Sequence, residues 1–302
     1  MTFATISNLK VTKRVNSSVS NLSRGCLDDT CEVSSKNHTY RALFKPDSLN
    51  VFEGFHDAIQ GDGRALGYAQ AWHRNAVEKH TVINEFIAAS IGQFIRLPIP
   101  PFAITNLRDE KLFSSLDFNF TRAKLPAVIP SKLWDFMPDE ATGIIVFDIL
   151  IANEDRHDTN LVADRISRPK NVFVYDHDQS LFSGYTRSGC DRLEAEKNNL
   201  GIIKTFPDGR TQDHCLMEVI DSDIHFKKWT DRISTIPDWF INDICKASKP
   251  LGANRDEVKA VAEFIISRRN SILDIIGRHK SEFKSIENWN LTKDLLGWRF
   301  TY

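Results

Sequence analysis

The amino-terminal part of the chain has short segments in which side chains alternate between two faces. In residues 39–45 the alternation has the period of two that is typical of a β-strand. Residues 9–15 and 31–33 are also of β-type, and the polar residues 16–21 between them favour a turn. These segments predict a small antiparallel sheet. Residues 46–75 are rich in glycine and histidine and fit no regular element.

A helical period replaces the strand pattern near residue 77. Apolar side chains recur at intervals of three and four over residues 77–95, which predicts an amphipathic helix with Glu85 on its flank. The prolines that follow end this helix, because proline cannot continue the hydrogen-bond ladder. A second helix begins at Pro138 with acidic residues in its first turn, and its apolar run 144–151 predicts deep burial.

The second helix stops at a dense polar cluster. This cluster covers residues 153–160, and residues 161–162 and 172–175 then read as two short strands. Polar side chains are thus concentrated in a loop between a buried helix and a pair of strands. Loops held by such a scaffold often carry functional residues.

The carboxyl-terminal third of the chain is mainly helical in pattern. Its clearest helix covers residues 256–279, where Arg268 and Arg269 beside an apolar stripe predict a basic outer face. The pattern therefore predicts an α+β protein with two lobes. We expect a β-rich amino-terminal lobe over residues 1–125, with one helix, and a helical carboxyl-terminal lobe over residues 126–302.

Composition narrows the functional classes. The 302 residues include 39 basic and 40 acidic side chains with a net charge of -1, so we expect no direct nucleic acid binding, which needs a clustered basic excess. The longest apolar stretch, near residues 143–152, is too short to cross a bilayer, and we expect no membrane association. The five cysteines show no zinc-site spacing, which favours reduced thiols and a cytoplasmic location.

Three polar residues around the central loop have the chemistry of phosphoryl transfer. Asp155 and Asn160 lie in the loop, and Asp176 follows the second strand, so the three side chains can converge on one cleft. Such transfer requires Mg²⁺ on the phosphates and a base that orients the attacking hydroxyl. Mg²⁺ prefers oxygen ligands, which a carboxylate and an amide supply. Asp155 precedes Asn160 by the five positions that separate base and metal-binding Asn in kinase loops.

The order Asp155-Arg156-His157-x-x-Asn160 resembles the catalytic loop of phosphoinositide kinases and of HipA-like kinases. Tyr175-Asp176-His177 is similar to the metal-binding Asp-His of the HipA-like family. The resemblance extends to a strand with a lysine and to a helix followed by a proline-rich turn, in residues 40–46, 84–89 and 97–101. It implies a protein kinase-like fold, also shared with phosphoinositide 3- and 4-kinases.

The resemblance also implies roles for individual residues. Lys45 would hold the α- and β-phosphates of ATP, and Glu85 would pair with Lys45, with Glu78 as a competing partner. Asp155 would be the catalytic base. Asn160 and Asp176 would hold the metal ion.

Other residues of the expected site match the family motifs less completely. His157 would be a structural member of the catalytic loop, and Arg156 would pair with a carboxylate or a phosphorylated residue. A glycine-rich phosphate loop is missing from the sequence. We expect either the polar run 16–21, which contains Ser17 and Ser18, or residues 23–25 to cradle phosphate instead, through backbone N–H groups and hydroxyls.

Two further features follow the Asp-His motif. Asp178 stands where the family pattern has a small residue, so it is either a second metal ligand or the cap of a turn. The polar run from 183 to 201, with Tyr185, Thr186 and Ser188, resembles an activation segment in which modification switches activity.

We therefore predict a HipA-like kinase that uses ATP and Mg²⁺ to phosphorylate a serine or threonine of a protein, or of itself. One alternative is a lipid or small-molecule kinase of the phosphoinositide kinase type. Another is a pseudokinase that binds partners and has little catalytic activity. A metal hydrolase that uses His157 and His177 is a weaker alternative. The resemblance also raises an antitoxin-like regulator as a partner.

Overall fold

The computed structural model describes residues 39–44, 65–71, 80–107, 110–116 and 125–291, and its first layer is a four-stranded antiparallel sheet. The sheet has the spatial order β1-β2-β4-β3 and consists of β1 (Thr39–Phe44), β2 (Ala65–Ala71), β3 (Phe102–Leu107) and β4 (Glu110–Leu116).

The predicted strand over residues 39–45 is confirmed as β1. Ala42 lies opposite Gly67 in its pairing with β2. Strand β2 falls in the stretch for which the sequence predicted no element. The predicted β-type segments 9–15 and 31–33 lie outside the described residues.

Helix α1 (Thr81–Phe94) packs against this sheet. Its Phe86 ring meets the edge of Phe102 at 6.2 Å between centroids, and Phe102 stacks on Phe113 at 5.0 Å. Glu85, which the sequence places on the flank of this helix, is buried, with only 2% of its surface exposed. The sheet covers one side of this helix and the carboxyl-terminal part of the chain covers the other. Apolar periodicity alone therefore did not show that this carboxylate is buried.

Helix α3 (Pro138–Ile151) forms the centre of the core and follows the short helix α2 (Pro130–Phe136). It begins at the predicted proline and is buried without a break from Ala141 to Ile151. Gly143 lies under the indole of Trp229, where a Cβ atom would clash with the ring. The missing side chain therefore allows the two helices concerned to approach closely.

The polar segment after α3 leads into a short β-hairpin. A 3₁₀ turn (Asp158–Asn160) precedes β5 (Leu161–Ala163), which pairs antiparallel with β6 (Val172–Val174). Both predicted strands are thus confirmed. The backbone N–H of Val174 donates to the carbonyl of Pro98 at 3.1 Å. This bond attaches the hairpin to the turn that follows α1.

The remaining elements are mostly helical, as the sequence predicted. Their bounds are α4 (Gly189–Glu196), β7 (Lys204–Thr205), β8 (Thr211–Gln212), α5 (Phe226–Ser234), α6 (Asp238–Ala247) and α7 (Arg255–Arg278), with 3₁₀ turns at Lys249–Leu251 and Lys280–Glu282. In the described part of the chain, helices of the length and apolarity that a membrane span requires are absent.

Helix α7 is anchored at its start and buried in its middle. Asn254 and Glu257 form a capping box, and the Glu257 carboxylate also contacts His80 Nε2 at 2.9 Å. The start of α7 is therefore joined to the residue preceding α1. The predicted basic outer face is wrong for Arg268, which has no exposed surface and donates to backbone carbonyls.

Candidate active site

The candidate catalytic loop begins where α3 ends. Ala152 adopts the left-handed conformation, with φ of 50°, and turns the chain out of the helix. The next residue, Asn153, donates from Nδ2 to Asp148 Oδ1 at 3.0 Å and accepts from the backbone N–H of Asp155 at 3.2 Å. The direction in which the loop leaves the helix is therefore fixed by one buried amide.

Arg156 attaches the loop to the helix core. Its Nε lies 2.8 Å from Asp148 Oδ2 and its second terminal nitrogen 3.1 Å from Oδ1, and neither side chain has exposed surface. His214 Nε2 also contacts Asp148 Oδ2 at 3.0 Å. Burial by itself would raise the pKa of Asp148, but the charge of Arg156 and the bond from His214 outweigh it and hold the pKa well below its usual range.

The same guanidinium joins the loop to the second strand of the hairpin. Its Nη1 donates to the carbonyls of Asn160 at 3.2 Å, Tyr175 at 2.5 Å and Asp176 at 3.4 Å. Arg156 thus pairs with a carboxylate, as predicted, and brings the two metal-ligand candidates into one cluster. Because the guanidinium of Arg156 has no exposed surface, it is not accessible to a phosphorylated residue.

Asp155 projects from the loop and meets two residues that the sequence analysis did not connect with it. Lys204 Nζ lies 2.6 Å from Oδ1, and the Tyr185 hydroxyl donates to Oδ2 at 3.2 Å. Lys204 also lies over the Tyr185 ring, 3.8 Å from its centroid. Burial opposes the charge of this ammonium, but the bonds to Asp155 and Tyr185 prevail and raise the pKa of Lys204.

Asn160 is oriented by the loop itself. Its side-chain Nδ2 donates to the backbone carbonyl of Asp155 at 3.1 Å, and the residue is 5% exposed. Because the nitrogen is committed to that carbonyl, the amide oxygen is the atom that Asn160 can offer to a ligand. Oxygen is the donor that Mg²⁺ prefers.

Asp176 follows β6 in a left-handed conformation, with φ of 64°. Its environment is acidic: desolvation and the charges of Glu85 and Asp155 raise the pKa of Asp176 to about 7, although Arg156 opposes the shift. Desolvation and the charges of Asp176, Glu85 and Asp155 also raise the pKa of Asp178. Carboxylates held together in this way repel one another, and a bound divalent cation would relieve the repulsion. The donor set therefore fits Mg²⁺, which Asp176 and Asn160 would hold.

Helix α1 holds the Asp-His segment from the opposite side. Glu85 Oε1 accepts the backbone N–H of His177 at 2.7 Å, and Oε2 lies 3.1 Å from its Nδ1. The adjacent Asn84 donates to the Asp178 carbonyl at 2.8 Å and to Ser183 Oγ at 2.9 Å. A single turn of α1 therefore fixes the backbone on both sides of the metal-ligand candidate.

The structure brings together four of the predicted site residues: Glu85, Asp155, Asn160 and Asp176. The others among the predicted nucleotide ligands, Lys45, Ser17 and Ser18, lie outside the described residues, so the pairing of Lys45 with Glu85 stays a prediction.

His157 lies in the loop, where its Nδ1 contacts Thr159 Oγ1 at 2.6 Å. Burial lowers the pKa of His157 despite the nearby carboxylates. This contact does not connect His157 with His177, which binds Glu85. In the described ranges, groups of three or more His, Cys, Asp or Glu side chains placed to hold a metal ion are absent. A kinase Mg²⁺ site built on one Asp and one Asn is not such a group.

Sequence reasoning missed the roles of Lys204 and His214. Lys204 lies 49 residues after its partner Asp155, on the two-residue strand β7, and no local pattern distinguishes it from a surface lysine. His214 reaches Asp148 across 66 positions. Only the fold places these residues at the site.

Comparison with known proteins identifies the family and the fold. The family model described as HipA-like kinase matches residues 72–263, which is more than half of the chain. The structure of the Helicobacter pylori proinflammatory kinase CtkA superposes with a TM-score of 0.53 and 12% identity, over 87% of this chain and 98% of that chain.

A second solved structure is the Shewanella oneidensis MR-1 toxin–antitoxin complex of HipA, HipB and operator DNA. Its TM-score is 0.40 at 12% identity, over 87% of this chain and 68% of that chain. No curated protein matches the sequence. The CtkA likeness shows the two-lobed α+β fold of protein kinase-like proteins, and the family match shows that the chain belongs to the HipA-like kinases.

Proposed function

We propose that this HipA-like kinase transfers the γ-phosphoryl group of ATP, with Mg²⁺, to a serine or threonine hydroxyl of a protein. The observation that supports the proposal most strongly is the convergence of Asp155, Asn160 and Asp176 around Arg156. Their hydrogen bonds join the loop and the end of β6. Phosphoryl transfer depends mainly on such positioning, because the protein does little covalent chemistry.

Asp176 and Asn160 are the residues that would hold Mg²⁺. When bound, the metal ion supplies positive charge to the phosphate oxygens. Lys45, Ser17 and Ser18 are our proposed phosphate-binding residues from the amino-terminal part. Glu85 would support the metal site indirectly, through its two contacts with His177, the residue after Asp176.

Asp155 is the proposed base. A hydroxyl placed against Oδ2 would occupy the position that the Tyr185 hydroxyl has in the structure, at 3.2 Å. That distance is within about 2.6–3.2 Å, the range in which a general base accepts a proton. Lys204 holds the other carboxylate oxygen and fixes its direction.

The test is a transfer assay with the full chain, γ-labelled ATP, Mg²⁺ and a cell lysate. We expect labelled lysate proteins with wild type and with Asp231→Asn. This variant is the matched control, because it removes a carboxylate that pairs only with Lys227 at the surface in the described structure. Asp155→Ala should give no labelled protein. Equal labelling by Asp155→Ala would contradict the assignment of the base.

The assay also separates the alternatives. Label in lipid or small metabolites, with none in protein, would identify a kinase of the phosphoinositide kinase type. Mg²⁺-dependent ATP binding without any transfer would identify a pseudokinase. An antitoxin-like regulator remains a prediction from the family resemblance, and co-purification from the source cell tests it.

A further inference from the structure

We propose that Tyr185 is an intramolecular phosphoryl acceptor of this kinase, an inference that rests on the proposed function. Its hydroxyl donates to Asp155 Oδ2 at 3.2 Å, so the residue proposed as base already holds a hydroxyl of the same chain. In general acid–base catalysis a base must reach the proton that it removes. Tyr185 satisfies that geometric requirement.

The backbone of Tyr185 is held against the catalytic loop. Its N–H donates to Glu154 Oε1, and the preceding Gly184 packs so closely on Arg192 that a Cβ atom would clash with the guanidinium. Arg192 is 2% exposed and donates to the carbonyls of Leu181 at 2.5 Å and Ala152 at 2.6 Å. Buried contacts therefore fix where the segment passes the loop.

The ring of Tyr185 is held as well. Lys204 Nζ lies 3.8 Å from the ring centroid, and the Phe206 ring lies at 5.7 Å between centroids. Since Lys204 also bonds Asp155 at 2.6 Å, the cation joins the acceptor ring to the base. The neighbouring hydroxyls of the segment, on Thr186 and Ser188, belong to exposed residues. The structure thus singles out one hydroxyl of the segment.

The proposed step is balanced with ATP as the only co-reactant. The Tyr185 oxygen forms a bond to the γ-phosphorus while the bond from that phosphorus to the β,γ-bridging oxygen breaks. The bridging oxygen keeps the electron pair and leaves with ADP, and the phenolic proton passes to Asp155 Oδ2. The products are phosphotyrosine at position 185 and ADP.

The product would not stay in the same position. A phosphotyrosine carries about 1.5 to 2 negative charges, and Asp155 and Glu154 flank the acceptor oxygen and the backbone of Tyr185. Once Asp155 has released the proton, repulsion between these groups moves the modified side chain away from the base. Autophosphorylation therefore clears the acceptor position for the hydroxyl of another protein.

The experiment incubates the full chain with γ-labelled ATP and Mg²⁺ and locates phosphate by peptide mass spectrometry. We expect phosphate at Tyr185 in wild type and in the neighbouring control Thr186→Val. Tyr185→Phe, which keeps the ring and its packing, should lose this label and should label lysate proteins more slowly than wild type, because its ring is not displaced from the acceptor position. A tagged Asp155→Asn chain mixed with wild type should acquire no label at Tyr185, because the transfer is intramolecular.

The failures are distinguishable. Transfer to lysate proteins without phosphate at Tyr185 would overturn this proposal and leave the proposed function standing. Labelling of the tagged inactive chain at the wild-type rate would overturn the intramolecular step. An absence of label in every protein, including the lysate, would overturn both proposals.

Discussion

Asp148 and Arg156 form a bidentate ion pair in which neither side chain has exposed surface, with nitrogen–oxygen distances of 2.8 and 3.1 Å. The pair connects the central helix α3 to the catalytic loop. Through the Nη1 of Arg156 it also reaches the carbonyls of Tyr175 and Asp176. The position of the proposed metal site therefore depends on a carboxylate that would not itself touch a ligand.

Asp148→Asn tests this dependence through stability. The substitution leaves the Arg156 charge buried without its counter-charge, and breaking such a pair typically costs about 3–5 kcal/mol. We expect a loss of that size in the free energy of unfolding, measured by urea titration. Asp135→Asn removes an exposed pair with Lys132 and should cost at most about 1 kcal/mol. Equal losses in both variants would contradict the account.

The same pair has a predicted pH dependence. Because the pKa of Asp148 is lower in the folded chain than its unfolded value of about 3.9, its stabilisation is fully present above about pH 5 and lost as the pH falls below about 4. The difference in unfolding free energy between wild type and Asp148→Asn should therefore narrow as the pH falls. A constant difference from neutral to acid pH would show that the carboxylate charge is not its source.

Glu85 holds the segment that carries Asp176. Glu85→Ala removes two acceptors from His177, each in a buried site, and we expect a loss of about 2–3 kcal/mol in unfolding free energy. Amide hydrogen exchange should accelerate at His177, whose N–H loses its acceptor. Glu85→Gln keeps an oxygen for that N–H and serves as the matched control. Unchanged exchange at His177 in Glu85→Ala would contradict the role of Glu85.

Arg268 acts through backbone carbonyls at the centre of the helical part. It donates to Ile149 at 3.1 Å, Asn199 at 2.8 Å and Leu200 at 3.1 Å. Arg268→Leu leaves these buried acceptors without the donor. Because each unsatisfied group costs about 1–3 kcal/mol, we expect the free energy of unfolding to fall by at least about 3 kcal/mol. Arg278→Leu changes an exposed arginine of the same helix. Arg268→Leu should lower the thermal unfolding temperature strongly, and Arg278→Leu should lower it little.

Local sequence patterns predicted several of the helices and strands around the site. The helix from Pro138, the strands β5 and β6 and the helix near residues 256–279 follow from apolar periodicity and helix-start chemistry, which act over short distances. The loop spacing also pointed to Asp155 and Asn160 as candidate site residues, because both lie within a single loop. Their roles as base and metal ligand stay predictions.

Long-range relationships could not be predicted. Arg268 has the pattern of a surface arginine, yet α3 and α4 cover it, and Asp148 stands in an apolar run with no sign of its partner His214. Strand β2 was missed because its residues 65–71 include glycine and alanine, which favour strands weakly. What decides these cases is tertiary packing between segments that are distant in sequence.

Two variants separate the proposed base from the proposed metal ligand. Mg²⁺-dependent ATP binding and single-turnover transfer to protein would be measured for wild type, Asp155→Ala and Asp176→Ala. We predict that Asp155→Ala retains binding and loses transfer, because Asp155 acts on the acceptor hydroxyl. We predict that Asp176→Ala loses the Mg²⁺-dependent part of ATP binding as well as transfer. Wild-type transfer by either variant would contradict the account.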